Sequence, residues 1–332
     1  MTNQTPGDAG DGPALRRILA GPGGPELLRL LAGELSGTDL TTLLLEATRR
    51  RAERTTPAEV MRRYRTDRFV TPADVDLRRL RRAEDALIDA LPPDFRTLVP
   101  APLVPLAAHT AVGPVDARKV VATVRGTEVA ADPTNTLALE AARRRALLLA
   151  ADPRSATPVR LATTQRVVRA QQFAAPGASA HFQLFGLVTA GRDTGGLAFE
   201  RQHLVEHLRF AARALARTGA GGAGAGRAGA GRVEIRLTGL DPSAAPLIAR
   251  VREALADTPG PGVGLDLVED PGRASGRGYY TRLCYKVFVA PAAGAEPVEV
   301  ADGGFVDWTQ RLIGNRKERL LIGGYGVERL IV

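Results

Sequence analysis

The sequence predicts an α+β fold, with a helical N-terminal region running into a sheet that contains antiparallel strands. Three observations predict it. Helix-start signatures recur before residue 90: in "TPAE", Thr56 is placed to cap, Pro57 takes the first helical position and Glu59 reaches back. After "LPPDF" the texture changes to alternating β-branched residues and short turns. Two long strand-like runs, "VRLATTQRVVRAQQF" and "HFQLFGLVTAG", flank the loop "AAPGASA", the pattern of a hairpin.

Taken in order, residues 1–12 are polar and read as a disordered tail, and 13–74 as a helical region. "TPAD" at 71–74 repeats the capping device and predicts a helix over about 72–91. Val75, Leu80, Ala83, Leu87 and Leu91 would face inward and Arg78, Arg79, Arg81 and Arg82 outward. The core spans 75–332. Within it "TLALEAARRRALLLAA" (136–151) reads as helix, as does about 199–217. The run "GAGGAGAGRAGAGR" (219–232) holds a formal GxGxxG, but a strand follows it where a dinucleotide fold needs a helix, so it reads as a linker. Further strands are expected at 232–237 and 277–289.

Composition narrows the class. Of 332 residues, 44% are apolar and 24% charged, as in globular domains. No run of about 18 apolar residues offers a membrane span. The start of the chain lacks the basic and apolar segments of a secretory signal. Cys284 is the single cysteine, which excludes an intrachain disulfide and predicts a cytoplasmic protein. The net charge of +9 is almost wholly arginine, with lysine only at Lys119, Lys286 and Lys317. Arginines on solvated helix faces explain it as well as a polyanion partner does.

Four segments carry candidate chemistry. Arg169 on one hairpin strand faces His181 and Phe185 on the next; a guanidinium and an aromatic plate suit a nucleotide, and equally a wet sheet face over core phenylalanines. "GGYGVER" combines Gly324 and Gly326 with Arg329, either a backbone that passes close to an anion or an ordinary glycine turn. In "GRGYYTRLCYKVF", adjacent tyrosines on a strand would face opposite sides, so one of Tyr279 and Tyr280 would line a pocket. "ADPTNT" opens a helix, where Thr136 either meets a ligand or caps. "HLVEH" (His203 to His207) matches an inverted zinc-peptidase pattern, but no third ligand is apparent and no metal is expected. His109 reads as a loop residue.

Together and in this order, the segments resemble the catalytic core of class II aminoacyl-tRNA synthetases of the histidyl type, over roughly residues 75 to 332. "LVPAP" with Pro102 is similar to motif 1, the dimer-forming element. "RLATTQRVVRAQ" with "HFQLF" is similar to motif 2 and "GGYGVERL" to motif 3. "GYYT" resembles the tyrosine-pair motif, "GGFVD" the glycine-rich pocket strand and "DPTNT" the pocket turn.

The resemblance implies an antiparallel sheet flanked by helices that holds ATP, with Mg²⁺, beside an amino acid. Arg169 would then hold the α-phosphate and Arg329 the γ-phosphate. Gln171 and His181 would lie by the phosphates, Gly324 and Gly326 beneath them. Phe185 would stack on adenine, with Phe182 fitting an alternative register. Thr136, Tyr279, Tyr280, Gly303 and Gly304 would line the amino-acid pocket. The sequence departs from the pattern at Gln171, where motif 2 carries glutamate, and at Ser275, where the histidyl type has an arginine; Arg277 is displaced by two positions, and Gly278 and Thr134 replace acids. The implied activity is formation of an acyl-adenylate in a homodimer, with a tRNA or a carrier as possible acceptor. Because the sequence stops as motif 3 ends, no anticodon-binding domain is expected. The alternative is a non-catalytic, amino-acid-sensing subunit like the regulatory subunit of ATP phosphoribosyltransferase.

Overall fold

The N-terminal helices bury almost nothing of themselves. In a computed structural model, which describes residues 12–171, 179–218, 232–256, 264–289 and 296–331, α1 (Pro13–Leu19), α2 (Gly24–Arg29), α3 (Gly37–Glu53) and α4 (Pro57–Thr66) bury no side chain. The expected disordered tail and nearly all of the expected glycine-rich linker lie outside the described residues. Thr56 and Glu59 close the capping box predicted for α4, with Thr56 N–H donating to Glu59 Oε2 at 2.9 Å.

The second capping device does not start a helix. α5 spans Leu77–Asp89, and Asp76 caps it by accepting from Arg79 N at 2.8 Å. Thr71 has its hydroxyl turned back onto the Asp67 carbonyl at 3.0 Å, so it is spent on the preceding turn. The helix otherwise follows its pattern: Leu80, Ala83 and Leu87 are buried, Val75 and Leu91 pack against the same core, and the four arginines are exposed.

Among the described residues, ten strands follow the helical region. They are β1 (Arg96–Thr97), β2 (Leu103–Pro105), β3 (Thr127–Val129), β4 (Val159–Val168), β5 (His181–Arg192), β6 (Arg232–Gly239), β7 (Gly264–Glu269), β8 (Thr281–Val289), β9 (Val298–Val306) and β10 (Glu318–Gly326). β2 and β3 form a small ladder, and the other eight make one sheet in the order β1-β4-β5-β10-β9-β8-β6-β7. Its inner pairs are antiparallel; β1–β4 and β6–β7, at the two ends, are parallel. The predicted hairpin is β4–β5, in register from Val159–Ala190 to Val168–His181.

Helices cover both faces. α5, α7 (Ala198–Thr218) and α8 (Ala244–Ala256) pack over Phe185, Leu187, Tyr285, Leu321 and Tyr325. α6 (Pro133–Ala151) and α9 (Trp308–Ile313) cover Leu161, Val188, Ala190, Leu320 and Ile322 on the other side. These are the α7 face and the α6 face below. Arg145 of α6 and Glu318 of β10, both fully buried, pair at 2.7 Å and pin that helix to the sheet.

The glycines near the end of the chain lie in a strand, not a turn. Gly323, Gly324 and Gly326 belong to β10, and one short turn, Val327–Leu330, follows them. A four-residue turn gathers too few free N–H groups to make a helix-terminus anion site.

Candidate functional site

Where β4 and β5 open, residues from five segments meet on the α6 face. The turn before α6 organises them. Asp132 caps that helix through Oδ1, which accepts from Thr134 N at 2.9 Å and from its hydroxyl at 2.7 Å. Its Oδ2 accepts from Arg169 Nη2 at 3.2 Å, while Arg169 Nε donates to the Ala131 carbonyl at 2.9 Å. The Arg169 guanidinium sits 5.1 Å from the ring centre of Phe182, in cation–π range.

A buried pair supports this turn from behind. His109, expected in a loop, is fully buried in the helical turn Ala108–Val112. Its Nε2 accepts from Ala131 N at 3.0 Å, so Nδ1 carries the proton and donates to Glu128 Oε1 at 2.6 Å. Nothing local in the sequence marked this contact.

Strand alternation sorts the other expected residues. Phe185 does not face the site. It is fully buried on the α7 face, stacked on Phe210 at 5.6 Å and edge-on to Tyr325 at 6.2 Å. Three residues along a strand reverse the direction of a side chain, so Phe182 takes the α6 face. His181 also turns to the α7 side, where Nδ1 accepts from Arg166 Nε at 2.8 Å and Nε2 donates to the Thr71 carbonyl at 2.8 Å. Gln171 ends the described strand extension, with its carbonyl held by Arg68 Nη1 at 2.9 Å.

The glycines divide in the same way. A Cβ on Gly303 would fall 2.5 Å from the Tyr285 hydroxyl, and one on Gly323 2.6 Å from it, so these two make room for that ring in the core of the α7 face. Gly303 therefore does not line the pocket. Gly304 faces the α6 side but is pressed against Cys284, 2.8 Å from a would-be Cβ. Gly324 has open space above it, with only the Asp302 carbonyl at 3.9 Å. Gly326 carries the stem of Arg329, whose Nη1 donates to the Glu299 carbonyl at 2.8 Å. Gly324 and Gly326 thus form the floor on the side where Arg169 lies. Gly186, which the sequence did not single out, lets Pro133 of α6 settle onto β5: a Cβ there would meet its ring at 2.9 Å.

The tyrosine pair lies in a turn, not on a strand. Gly276 and Gly278, at φ +81° and +84°, bend the chain so that both rings lie together, 4.9 Å apart and edge to face. Tyr279 also meets Trp308 at 5.5 Å. Thr134, not Thr136, is the threonine beside Tyr279; the Thr136 hydroxyl is buried within α6 with no partner among the described residues. Burial, with Asp132 beside Tyr279 and Asp302 beside Tyr280, pushes both phenols well above their ordinary range, so they stay neutral.

Arg273 and Asp302 of this pocket escaped the sequence. Arg277 spends itself on local carbonyls, with Nε to Arg273 O at 2.8 Å and Nη2 to Pro271 O at 2.9 Å. Arg273 enters instead. It is 5% exposed, donates through Nη2 to both Asp302 oxygens at 2.9 Å, and lies 5.6 Å from the Tyr280 ring. Its Nη1 is buried with no partner among the described residues. Burial pushes the Asp302 carboxyl up against the pull of Arg273. Beside them Lys286 pairs with Glu299 at 2.6 Å, and burial pushes the Cys284 thiol up to about 11, so it stays protonated.

The "HLVEH" residues serve packing. His203 bonds Glu206 at 3.0 Å, His207 Nε2 meets the Thr189 hydroxyl at 3.0 Å, and burial pushes His207 down to about 3. No group of three or more His, Cys, Asp or Glu side chains that could hold a metal converges among the described residues. A magnesium ion needs only one or two protein carboxylates when it arrives with phosphates. Asp132 and Glu299 are carboxylates available on this face, each engaged with a basic side chain.

No protein-family model matches the sequence, and no curated protein does. Solved structures do match. The apo histidyl-tRNA synthetase of S. aureus superposes with a TM-score of 0.52 at 15% identity, over 76% of this chain and 64% of that one. The fold is similar to that of the histidyl-type class II synthetase core. A second match is the ATP phosphoribosyltransferase regulatory subunit/histidyl-tRNA synthetase of Bacillus halodurans: TM-score 0.52, 13% identity, 79% of this chain and 82% of that one. A third is a histidine–tRNA ligase subunit of Alicyclobacillus acidocaldarius, at 0.52 and 16% identity, covering 78% and 94%. The chain spans a little under two thirds of the S. aureus enzyme, and at these identities the likeness is one of fold. The large sheet between helices predicted from the motifs is what this chain shares with these structures. Among the described residues, no helix is long and apolar enough to cross a membrane.

Proposed function

We propose that the protein binds ATP on the α6 face and uses it to activate an amino acid or similar carboxylate as an acyl-adenylate. One observation carries the reading: Arg169 is held over Phe182 at 5.1 Å, a fixed cation beside an aromatic plate, on the same face as Gly324, Gly326 and Arg329. A nucleotide needs that combination, a guanidinium for phosphate and a ring for the base.

In the proposed step, a carboxylate oxygen of the substrate attacks the α-phosphorus. The bond from that phosphorus to the bridging oxygen breaks, and pyrophosphate leaves. The nucleophile is already ionised, so no general base is required. Arg169 and Arg329 would neutralise the growing charge and hold the reacting groups in line. Mg²⁺, when bound, would supply further charge neutralisation at the phosphates. The carboxylate substrate would sit beside Tyr279, Tyr280 and the Arg273–Asp302 pair. The acceptor, a tRNA or a carrier, is left open by the pocket. A cytoplasmic homodimer fits the single buried cysteine and the exposed apolar residues of the "LVPAP" stretch.

A second reading is a sensing subunit without catalysis. Gln171 in place of glutamate and the outward turn of Arg277 favour it. ATP–pyrophosphate exchange screened over the common amino acids separates the two. Exchange with one of them supports the enzyme. Binding of an amino acid with no exchange and no ATP binding supports the sensor.

A further inference from the structure

We propose that Arg68 is a positioning residue for Arg169, which makes the N-terminal helical region part of the nucleotide site. The proposal rests on the ATP reading above.

The geometry begins at the end of α4. Asp67 ends that helix, its N–H donating to Arg63 O at 2.8 Å. The next four residues fold back on it: Phe69 N donates to Asp67 Oδ1 at 3.0 Å and the Thr71 hydroxyl to Asp67 O at 3.0 Å. Residues 67–71 therefore form an internally bonded strap, and it crosses the end of the β4–β5 hairpin at which the two strands are joined. From the strap, Arg68 donates through Nη1 to Gln171 O at 2.9 Å and through Nη2 to Ala170 O. The guanidinium lies 4.4 Å from the Phe69 ring centre, which fixes its plane. On the other strand, His181 Nε2 donates to Thr71 O at 2.8 Å. One five-residue segment thus grips both strands of the hairpin.

What it grips matters. The ladder of β4 ends at Val168, and Arg169 is the next residue. Beyond it the chain is tied by Arg169 N to Ala180 O at 2.8 Å, by Ala170 N to Lys119 O at 2.9 Å and by Arg169 Nε to Ala131 O at 2.9 Å, and none of these holds the two carbonyls that follow Arg169. The Ala170 and Gln171 carbonyls have Arg68 as their partner among the described residues. Without it they would turn to water, and the backbone would be freed directly after Arg169, leaving the Arg169 N–H bond to Ala180 O as the last tie across the hairpin. A misplaced phosphate ligand costs binding far more than the lost contact itself suggests.

A bare stitch for the helices would need no such fork. α1–α4 bury no side chains, so the region's hold on the core is polar and local. Arg68 places that hold one and two residues after Arg169. Its planar fork matches two carbonyls at once, which a lysine ammonium on a flexible stem does not reproduce. A purely electrostatic role toward phosphate would survive Arg68→Lys, and a positioning role would not.

The test uses the full chain as unmodified protein, Arg68→Lys and Arg68→Gln. ATP affinity is measured by calorimetry, thermal unfolding serves as the fold control, and amide hydrogen exchange over 166–171 is followed without ligand. Both variants should keep their melting temperature within a few degrees, exchange several-fold faster over 168–171 than the unmodified protein, and bind ATP at least fivefold more weakly. Unchanged exchange in Arg68→Gln overturns the proposal by itself, whatever ATP does. Full ATP affinity in Arg68→Lys with loss in Arg68→Gln overturns it in favour of direct charge contact. Absence of ATP binding in the unmodified protein overturns the reading beneath it, and the functional part of this proposal with it.

Discussion

Phe182 and Phe185 sit three residues apart on one strand and do opposite things: Phe182 lies under the Arg169 guanidinium at 5.1 Å, while Phe185 is buried against Phe210 and Tyr325. The pair yields a clean separation of function from stability. Phe182→Ala would remove the proposed surface for the base and leave the core intact, so ATP affinity should fall while the melting temperature changes little. Base–aromatic stacking is worth about 1–3 kcal/mol. Phe185→Ala opens a core cavity and should cost about 3–5 kcal/mol of stability. Calorimetry and denaturant titration on both variants check this. Equal losses of ATP affinity in folded Phe182→Ala and Phe185→Ala would sink the assignment of Phe182.

The arginines on the same face give the second expectation. Losing a charge-assisted phosphate contact costs about 1.5–3 kcal/mol, which is more than tenfold in affinity. Arg169→Ala should show at least that loss, because its partners Asp132 and Ala131 O hold it in place before a ligand arrives. Arg329, with a side chain 58% exposed, is looser and should lose less. Arg78→Ala, on the exposed side of α5, is the control and should bind ATP as the unmodified protein does. Titrating ATP into the three variants decides it, and an unaffected Arg169→Ala would contradict the site.

Much of this was legible in the sequence because it is local. The capping box at Thr56 and Glu59, the inward stripe of α5 and the β4–β5 hairpin all follow from spacing within a few residues. Face assignment was not legible for the phenylalanines, because a strand shifted by one residue exchanges its two sides. The sequence left Phe182 and Phe185 as alternatives, and only the strand partners chose. The glycine strand was misread because its Gly323 answers to Tyr285, which lies on another strand of the sheet. Arg273 and Asp302 meet across 29 residues, and Arg68 reaches across more than one hundred, so no motif could pair them.

Association gives the third expectation. In the "LVPAP" region Val99 is fully exposed, and Leu103 and Leu106 are 42% and 57% exposed, with Val104 buried between them. Apolar residues left open beside a motif that resembles the dimer-forming element are where the proposed two-fold partner would pack. Sedimentation should give a dimer at micromolar concentration, and Val99→Asp with Leu103→Asp should shift it to monomer without unfolding it. A monomeric unmodified protein would remove the homodimer from the proposed function.

The last expectation concerns pH, and it falls on His207. Burial pushes this imidazole down to about 3, from 6.5 in the open chain, against the pull of Glu206. Its Nδ1 is buried without a partner among the described residues, and Nε2 bonds the Thr189 hydroxyl at 3.0 Å. The folded protein therefore keeps His207 neutral where the unfolded chain takes up a proton. Between pH 6.5 and 3 the unfolded state binds more protons, so this group lowers stability as the pH falls. The loss approaches about 1.4 kcal/mol per pH unit once the pH is well below 6.5. The useful window is pH 7 to 5, because Glu206, held at about 2, does not titrate there. Over that window His207 alone should account for about 2 kcal/mol. His207→Gln is destabilised at every pH through its altered packing, so the informative quantity is the difference between pH 7 and pH 5. Urea titrations at the two pH values should give a clearly smaller difference in the variant. Equal differences in variant and unmodified protein would mean that His207 is protonated in the folded state, and would undo its assignment as a neutral core residue.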